Sequence, residues 1–303
     1  MNYLVIGAGG TGGSIAAWLS AAGKKVDVIA RGAHLAAIRE NGLVVETTHR
    51  GTFAVPVNAW DMEHYSGTPD VIFLCVKGYS VQECIPFIRR VAGKETVVIP
   101  ILNGIDVGGS IQPLLPELLV TDGCIYIASE IKAPGTLLMN GDVFRVFFGV
   151  RRAEEYRPVL EQVARDLAES GIEGGLTDRI RRDALQKFSF VSPMAACGLY
   201  YDVRAEQMQQ PGAPRDAFVA LVREVQALAA AMDITFAVDL VENNLQILDG
   251  LAPGASTSLK RDVDAGRPSE LDSLIFRVVR LGRELGVETP WYARVAEKMG
   301  FAE

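Results

Sequence analysis

The sequence predicts a first half of α/β class, with a doubly wound and mainly parallel sheet, and an all-α second half. Up to about residue 172, short β-branched runs alternate with helical segments, and after about residue 178 only helical segments follow. Such alternation is typical of a parallel sheet covered by helices. A glycine-rich turn also joins the first apolar run to the first helical segment.

The first half contains the following predicted elements. Strands are predicted over 3–6, 25–30, 70–76 and 96–102, with a later segment at 119–128. Hairpins are predicted over 43–57, with Gly51 in the turn, and between 135–139 and 143–148. Helices are predicted over 14–22, over 81–91 with a break near Pro86, and over 153–170. The 70–76 run is apolar after its first residue, as expected for a strand buried on both faces.

The second half is predicted to be helical throughout. Its helices cover 180–199, 216–232, 240–248, 269–285 and 291–299. Prolines at 211, 214, 253, 268 and 290 separate them, as expected of residues that end or precede helices. The boundary is placed near Gly174-Gly175-Leu176-Thr177, which divides the chain into residues 1–175 and 176–303.

The length and composition favour a globular protein of about two domains. The 303 residues are 49% hydrophobic and 22% charged, the balance of a soluble chain. The net charge of −7 and the pI of about 5.2 argue against a nucleic-acid partner, since no basic cluster resembles a phosphate-binding surface. The sequence shows neither a signal peptide nor a membrane-spanning stretch. We therefore expect a cytoplasmic protein without membrane partners.

Cysteine and histidine usage favours neither disulfides nor a metal. The four cysteines (Cys75, Cys84, Cys124 and Cys197) are scattered without C-x-x-C spacing, and we interpret them as buried, reduced thiols. The three histidines (His34, His49 and His64) all lie in the first quarter of the chain. Their placement argues against a site of three histidine ligands, so we expect no metal.

The glycine-rich turn predicts a dinucleotide site. Gly7, Gly9 and Gly12 follow the G-x-G-x-x-G spacing between a strand and a helix. The first glycine permits the tight turn, the second lets backbone approach a pyrophosphate, and the third allows close helix–strand packing. The phosphates would then lie on the first N–H groups of the helix. The alternative is an ordinary strand–helix turn. The candidate cofactor-binding residues here are Gly7, Ala8, Gly9, Gly10, Thr11 and Gly12, and they make residues 1–175 a Rossmann-like dinucleotide-binding domain.

Arg31 indicates which nucleotide binds. NAD enzymes usually carry an acidic residue about 20 residues beyond the glycines, where it accepts a hydrogen bond from the ribose 2′-hydroxyl. This chain has Arg31 at the end of the second strand, with Lys24 and Lys25 nearby. A guanidinium can bind a 2′-phosphate through a charge-assisted fork, so we predict NADP(H). The alternative is a solvated arginine at a strand end.

Two further strands end in residues suited to a nucleotide or a small polar substrate. Lys77 follows the strand 70–76, and Asn103 follows the strand 96–102. Ligands of open α/β sheets bind beyond the carboxyl ends of the strands. We therefore predict that Lys77 and Asn103 contact the cofactor, and that Asn103 also contacts the substrate. Taken singly, each is also explained by the need for a strand to end in something polar.

Two residues of the helical half stand out: Lys187 is a candidate catalytic residue, whereas Glu270 is explained structurally by its sequence context alone. Lys187 lies beside the apolar stripe of a largely uncharged helix. It is either a lysine that extends to water or a desolvated ammonium ready to donate a proton. Glu270 follows Pro268 at the start of a helix, where a carboxylate is also favoured by the helix dipole alone.

Together these residues resemble the ketopantoate reductase (2-dehydropantoate 2-reductase) family, in the same order from about residue 2 to residue 300. The matching segments are Gly7–Gly12, the Arg31 strand end, Val76-Lys77, Asn103-Gly104, 185–188, 256–262 and 270–272. The resemblance implies NADPH-dependent reduction of 2-dehydropantoate to pantoate, a step of pantothenate biosynthesis. It implies that Lys187 is the general acid and that Glu270 binds the substrate hydroxyl or orients the lysine. Lys77 and Asn103 would face the nicotinamide and the reacting carbonyl, and Ser258 would bind the substrate carboxylate.

The sequence departs from the family pattern in the helix that carries Lys187. Asparagines that contact ketopantoate typically stand four and eight residues beyond the lysine, where this chain has Val191 and Ala195. The segment 189–194 is more apolar, and Pro193 should bend the helix. Another branched or aromatic 2-oxo acid is therefore an alternative substrate.

Two other functions stay open at this point. One is a related NAD(P)-dependent 2-hydroxyacid or opine-type dehydrogenase, and the other is an NADP-binding sensor without turnover. The expected partner is a small-molecule 2-oxo acid, and residues 176–303 are expected to form the substrate domain. The sequence is also compatible with a homodimer.

Overall fold

The computed structural model describes residues 1–301 and divides the chain into two compact units. Unit 1 contains Met1–Leu102 and Asp106–Ile180. Unit 2 contains Asn103–Ile105 together with the chain from Arg181 onward. The short segment Asn103–Ile105 therefore clusters with the helical unit, although it directly follows a strand of the sheet in the sequence.

Unit 1 contains all the strands that the structure describes. They are β1 (Asn2–Ile6), β2 (Lys25–Ile29), β3 (Leu43–Thr47), β4 (Gly51–Val55), β5 (Asn58–Trp60), β6 (Val71–Leu74), β7 (Val97–Pro100), β8 (Leu119–Val120), β9 (Asp122–Tyr126), β10 (Ser129–Ala133), β11 (Thr136–Met139), β12 (Arg145–Gly149) and β13 (Glu173–Leu176). Its helices are α1 (Gly10–Ala21), α2 (Gly32–Asn41), α3 (Val81–Val91), α4 (Val107–Ile111) and α5 (Val159–Glu169).

The central sheet has six strands in the order β5-β2-β1-β6-β7-β8, and every neighbouring pair is parallel. Alternate residues of β1 point to opposite faces, as strand geometry requires. Tyr3 and Val5 join one hydrophobic core, whereas Leu4 and Ile6 join the core on the other face. Both faces are thus covered, which explains why the central strands are apolar throughout. The predicted doubly wound, mainly parallel sheet is confirmed.

Two smaller sheets complete unit 1, and they correct one predicted hairpin. Their orders are β10-β11-β3-β4 and β13-β12-β9. The predicted hairpin over 43–57 is present, with Leu43 opposite Val55 and Thr47 opposite Gly51. The hairpin predicted between 135–139 and 143–148 was wrong, because β11 pairs with β10 and β3 while β12 pairs with β9 and β13. Alternating apolar runs indicate strands but do not specify their partners, which long-range burial decides.

Helix α3 is continuous, so the predicted break near Pro86 was wrong. Proline lacks the N–H that would bond to the carbonyl four residues earlier. Here Pro86 and Gln82, whose carbonyl loses that bond, are both exposed, so water can replace the missing donor. The opposite face buries Phe87 and Ile88, and this packing holds the helix together across the proline.

Unit 2 is helical in the part that the structure describes. Its helices are α6 (Ile180–Tyr201), α7 (Ala205–Met208), α8 (Ala213–Ala231), α9 (Leu240–Asp249), α10 (Ser258–Asp264), α11 (Arg277–Leu285) and α12 (Pro290–Lys298), with a π-helical segment at Asp272–Phe276. The predicted all-α second half is confirmed. A single hydrophobic core joins these helices, with Phe218 on α8 and Tyr292 on α12 almost fully buried.

Among residues 1–301, no helix combines the length and apolar character needed to cross a bilayer. Within the same residues none of the four cysteines forms a disulfide. Cys84, Cys124 and Cys197 are buried as predicted, whereas Cys75 is only partly buried.

Candidate cofactor and catalytic sites

The glycine turn of unit 1 lies at the carboxyl end of β1, where the order of the strands in the sheet reverses. The strands that follow β1 in the sheet are β2 on one side and β6 on the other, which makes this edge the topological switch point. Gly7 has φ of +98°, a conformation that side chains rarely adopt. The N–H groups of Gly7 and Ala8 both donate to the carbonyl of Ile29, each at 3.2 Å. The turn is therefore fixed to the end of β2.

The lack of a side chain has a different consequence at two glycines of the turn. A Cβ atom on Gly12 would lie 2.2 Å from the Gly7 carbonyl oxygen and 2.7 Å from Cβ of Cys75. Gly12 therefore allows α1 to pack directly on the sheet. A Cβ atom on Gly9 would meet no protein atom within 4 Å. The absence of a side chain at Gly9 leaves open space beside the turn rather than relieving a clash.

The start of α1 suits an anion. Gly9 is the N-cap residue and supplies no side-chain hydrogen bond to the helix, and the first turn carries no acidic residue. The first N–H groups of a helix lack intrahelical partners and sit at the positive end of its dipole. Open space at Gly9 together with an uncapped helix start fits a pyrophosphate. The residues present thus fit the dinucleotide that the sequence predicts.

Arg31 and Lys77 follow the two strands that flank β1. Arg31 is the N-cap residue of α2, just beyond β2, and it is exposed. Among residues 1–301 its guanidinium makes no hydrogen bond or ion pair. Lys77 lies beyond β6, before the short helical turn Gly78–Ser80, and is half-buried. The candidate cofactor residues of unit 1 therefore follow three adjacent strands, β2, β1 and β6.

His34 also holds the glycine turn, a role that could not be predicted from its position in the sequence. Its Nδ1 accepts from the N–H of Gly135 at 2.9 Å, so its Nε2 carries the proton and donates to the carbonyl of Ala8 at 2.8 Å. The neutral imidazole thereby links the glycine turn to the β10–β11 hairpin. The partners lie 26 and 101 residues away in the sequence, and no local pattern connects them.

Unit 2 brings Asn103 and Lys187 together. The Lys187 ammonium donates to Oδ1 of Asn103 at 2.7 Å, although the two residues are 84 positions apart. Lys187 is half-buried on α6, one residue before the buried Phe188. The contact uses the acceptor of the Asn103 amide and leaves the Nδ2 donors for other partners. A lysine held in this way does not simply extend into water.

Glu270 and Ser258 lie at the starts of two other elements in unit 2. Glu270 is only 4% exposed and directly precedes Leu271, where the final helical hairpin begins. Ser258 is the first residue of α10 and is half-buried, and its neighbour Thr257 caps that helix by accepting from the N–H of Lys260. Such burial is unusual for a carboxylate that acts only through a helix dipole, because an exposed position would serve equally well.

The backbone of Glu270 is connected to the helix that carries Lys187. The carbonyl of Glu270 accepts from the N–H of Leu274 at 3.0 Å. The carbonyl of Leu274 in turn accepts from the Ser192 hydroxyl of α6 at 2.6 Å, and Ser192 also lies 2.6 Å from the Tyr292 hydroxyl. These contacts involve the π-helical segment, a geometry often found near functional sites. Ser192 is therefore a further residue that the sequence did not identify.

The two positions where the sequence departs from the family differ in environment. Val191 is half-buried, whereas Ala195 is fully buried in the core of unit 2. Eight residues along an α-helix rotate a side chain by about 80° from Lys187, compared with about 40° for four residues. That Val191 and Ala195 occupy the positions of the family's substrate-binding asparagines stays a prediction for both residues.

Comparison with known proteins gives the same relatives for both halves of the chain. The family described as ketopantoate reductase PanE/ApbA matches residues 3–152, and its C-terminal counterpart matches residues 179–303. A 2-dehydropantoate 2-reductase from Mesorhizobium japonicum is 27% identical over 317 residues, which cover 96% of this chain and 94% of that protein.

Solved structures agree on the fold. A PanE/ApbA family ketopantoate reductase from Ralstonia eutropha JMP134 has a TM-score of 0.88 at 23% identity, covering 98% of this chain and 97% of that one. D-mandelate dehydrogenase, in a ternary structure with NADH and anilino(oxo)acetate, has a TM-score of 0.86 at 20% identity, covering 98% and 96%. At such identities the likeness concerns the fold alone. Because the two parts of one family match the two halves of the sequence in order, the chain belongs to the ketopantoate reductase family of NAD(P)-dependent oxidoreductases.

Proposed function

We propose that this chain reduces a 2-oxo acid to the corresponding 2-hydroxy acid with NADPH. We propose 2-dehydropantoate as the leading substrate, which would be reduced to pantoate for pantothenate biosynthesis. The observation that carries the proposal is the 2.7 Å hydrogen bond from the Lys187 ammonium to Asn103. Membership of the family supports the same reaction class. Residues 1–175 would bind the cofactor, and residues 176–303 would supply the groups that act on the substrate.

Ketone reduction needs a hydride at carbon and a proton at oxygen. The reduced nicotinamide, when bound, supplies the hydride. Lys187 donates its proton to the carbonyl oxygen as negative charge develops there, so that an alcohol forms rather than an alkoxide. Asn103 accepts from the ammonium through Oδ1 and so holds the proton donor in one direction. The amide of Asn103 has two further donors, which we assign to the nicotinamide or to the substrate.

Glu270 and Ser258 complete the proposed site. We assign Glu270 to the substrate hydroxyl or to the orientation of Lys187, which is the role that the family resemblance implies for this buried carboxylate. We assign Ser258, the half-buried first residue of α10, to the substrate carboxylate, because the family resemblance implies this role for it. Lys77, which follows β6 of the central sheet, would contact the cofactor.

NADP(H) rather than NAD(H) is the proposed cofactor because of Arg31. An exposed guanidinium at the end of β2 can pair with a 2′-phosphate, and no carboxylate stands there to accept from a 2′-hydroxyl. The glycine-rich turn from Gly7 to Gly12 would hold the pyrophosphate that both cofactors share. Cofactor choice therefore depends on Arg31 and not on the turn.

Val191 and Ala195 should make the substrate site permissive. Where the family pattern has two substrate-binding asparagines, this chain has two apolar residues, of which Val191 is half-buried and Ala195 is buried. A site that does not hydrogen-bond a substrate hydroxyl discriminates weakly against analogues that lack it. We expect kcat/KM for ketopantoate to exceed that for a 2-oxo acid without its hydroxyl by roughly one or two orders of magnitude, not four or five.

The test is cofactor oxidation by the wild-type protein with ketopantoate and a panel of branched and aromatic 2-oxo acids. Each acid is assayed with NADPH and with NADH, and in the presence and absence of an amino acid. Turnover of a 2-oxo acid alone, with NADPH preferred, supports the proposal. Turnover only with an amino acid would assign an opine-type dehydrogenase instead. Tight NADPH binding without turnover of any acid would indicate a sensor.

A further inference from the structure

Helix α6 contains a proline within the segment that follows Lys187. The helix runs from Ile180 to Tyr201 and includes Pro193. A proline has no N–H, and its ring also crowds the carbonyl four residues earlier. That carbonyl belongs to Ser189, which is fully buried, so water does not reach it as it reaches the corresponding carbonyl in α3. An unsatisfied carbonyl at this depth would be costly.

Asn244 of α9 supplies the missing donor. Its Nδ2 group donates to the carbonyl of Ser189 at 2.8 Å and to the hydroxyl of Ser189 at 3.0 Å. The Ser189 hydroxyl in turn donates a hydrogen bond to the carbonyl of Gln186 at 2.7 Å. Asn244 is fully buried, and its two amide hydrogens are both used on this one residue.

These contacts involve residues of α6 on both sides of Lys187. Gln186 directly precedes the lysine and Ser189 follows it by two residues, so the turn that carries Lys187 is fixed by a side chain from another helix. We propose that Asn244 is a positioning residue for Lys187, replacing the backbone hydrogen bond that Pro193 removes. This inference rests on the proposed function, in which Lys187 donates the proton.

Loss of the amide has a direct consequence for the reaction. Without it, the buried carbonyl of Ser189 must turn toward another donor, and the turn that carries Lys187 moves with it. A misplacement of about 1 Å at a reacting group can cost roughly 100-fold in rate. The Kd for NADPH should stay near the wild-type value, because the glycine turn and Arg31, which we assign to the cofactor phosphates, belong to unit 1, whereas Asn244 belongs to unit 2.

The test combines Asn244→Leu with Pro193→Ala in the full-length protein. Pro193→Ala restores an N–H four residues after Ser189, so the helix can satisfy that carbonyl without Asn244. Asn244→Leu alone should lower kcat by roughly 100-fold with an unchanged Kd for NADPH. In the Pro193→Ala background the same substitution should lower kcat by less than about tenfold. Gln246→Ala, an exposed amide on the same helix, serves as the matched control and should leave kcat unchanged.

The remaining outcomes decide against the inference. An Asn244→Leu variant that keeps its kcat overturns it, and so does a double variant that recovers thermal stability but not kcat. Should Asn244→Leu not fold, Asn244→Asp and Ser189→Ala test the same contact with smaller changes in volume. Lys187→Ala is assayed in parallel, because retention of kcat in that variant would refute the proposed function rather than the role of Asn244.

Discussion

The glycine turn of unit 1 and the lysine site of unit 2 are built on different principles. The turn uses consecutive residues, backbone N–H groups and open space, and its shape is held by contacts at the ends of adjacent strands. The lysine site uses side chains from distant parts of the sequence, where Lys187 contacts Asn103 and the turn around it depends on Asn244. A backbone-built site tolerates change in most side chains, whereas a side-chain-built site depends on each partner.

Lys187→Ala is the substitution with the largest expected effect on the reaction. Loss of the ammonium removes the proposed proton donor, so kcat should fall by roughly two to four orders of magnitude, the usual contribution of general acid catalysis. The Kd for NADPH should stay near the wild-type value, because the glycine turn is in the other unit. Lys94→Ala, which removes an exposed lysine, is the control. An unchanged kcat on the best substrate would assign Lys187 a structural role only.

Arg31→Ala should weaken NADPH binding while leaving NADH binding nearly unchanged. A hydrogen bond to a charged group contributes about 1.5–3 kcal/mol, which corresponds to roughly a 10- to 100-fold rise in the Kd for NADPH. Titration calorimetry with each cofactor measures both values, and Arg39→Ala on the same helix provides a matched arginine control. Equal losses for the two cofactors would contradict the assignment of Arg31 to the 2′-phosphate.

Two alanine substitutions within the glycine turn should affect different properties, one the stability of the fold and the other the binding of NADPH. Gly12→Ala places a methyl group against the Gly7 carbonyl, so it should lower the free energy of unfolding by about 1–3 kcal/mol. Gly9→Ala meets no protein atom, so its melting temperature should match the wild type, while the methyl group blocks the approach of a pyrophosphate. Thermal unfolding and NADPH titration of both variants separate the two effects. Normal NADPH binding by Gly9→Ala would place the phosphates elsewhere.

The smallest expected effect is a pH dependence of stability in unit 1. Burial tends to raise the pKa of Asp166, but hydrogen bonds from Tyr3, Lys24 and Gln162 outweigh it and hold that pKa below its usual value. A lowered carboxyl pKa stabilises the fold at pH above about 4, and this stabilisation is lost as pH falls through the lowered value. The wild type should therefore exceed Asp166→Asn in unfolding free energy by about 1 kcal/mol at pH 7, and the difference should shrink as the pH falls below about 4. A constant difference across that range would show that Asp166 acts through packing alone.

The same division separates the features that could be predicted from the sequence from those that could not. The glycine turn, the parallel sheet and the helical half could be predicted because spacing and hydrophobic periodicity are local signals. His34, Ser192 and Asn244 could not, since their partners lie 26 to 101 residues away and nothing in their own segments marks them. The break predicted near Pro86 was wrong for a related reason. The proline lies on the exposed face of α3, and which face is exposed depends on how the opposite face packs on the rest of the protein.

The placement of Asn103 has a consequence for how this protein can be recombined. In the sequence Asn103 belongs to the first half, between β7 and α4, yet Asn103–Ile105 cluster with unit 2. A gene fusion that joined another nucleotide-binding half to this helical half near residue 180 would exchange every residue of unit 1 and, with it, the partner of Lys187. Functional chimaeras would therefore have to transplant the segment after β7 together with the helices. The two halves of the gene can be expected to evolve as linked parts and not as interchangeable modules.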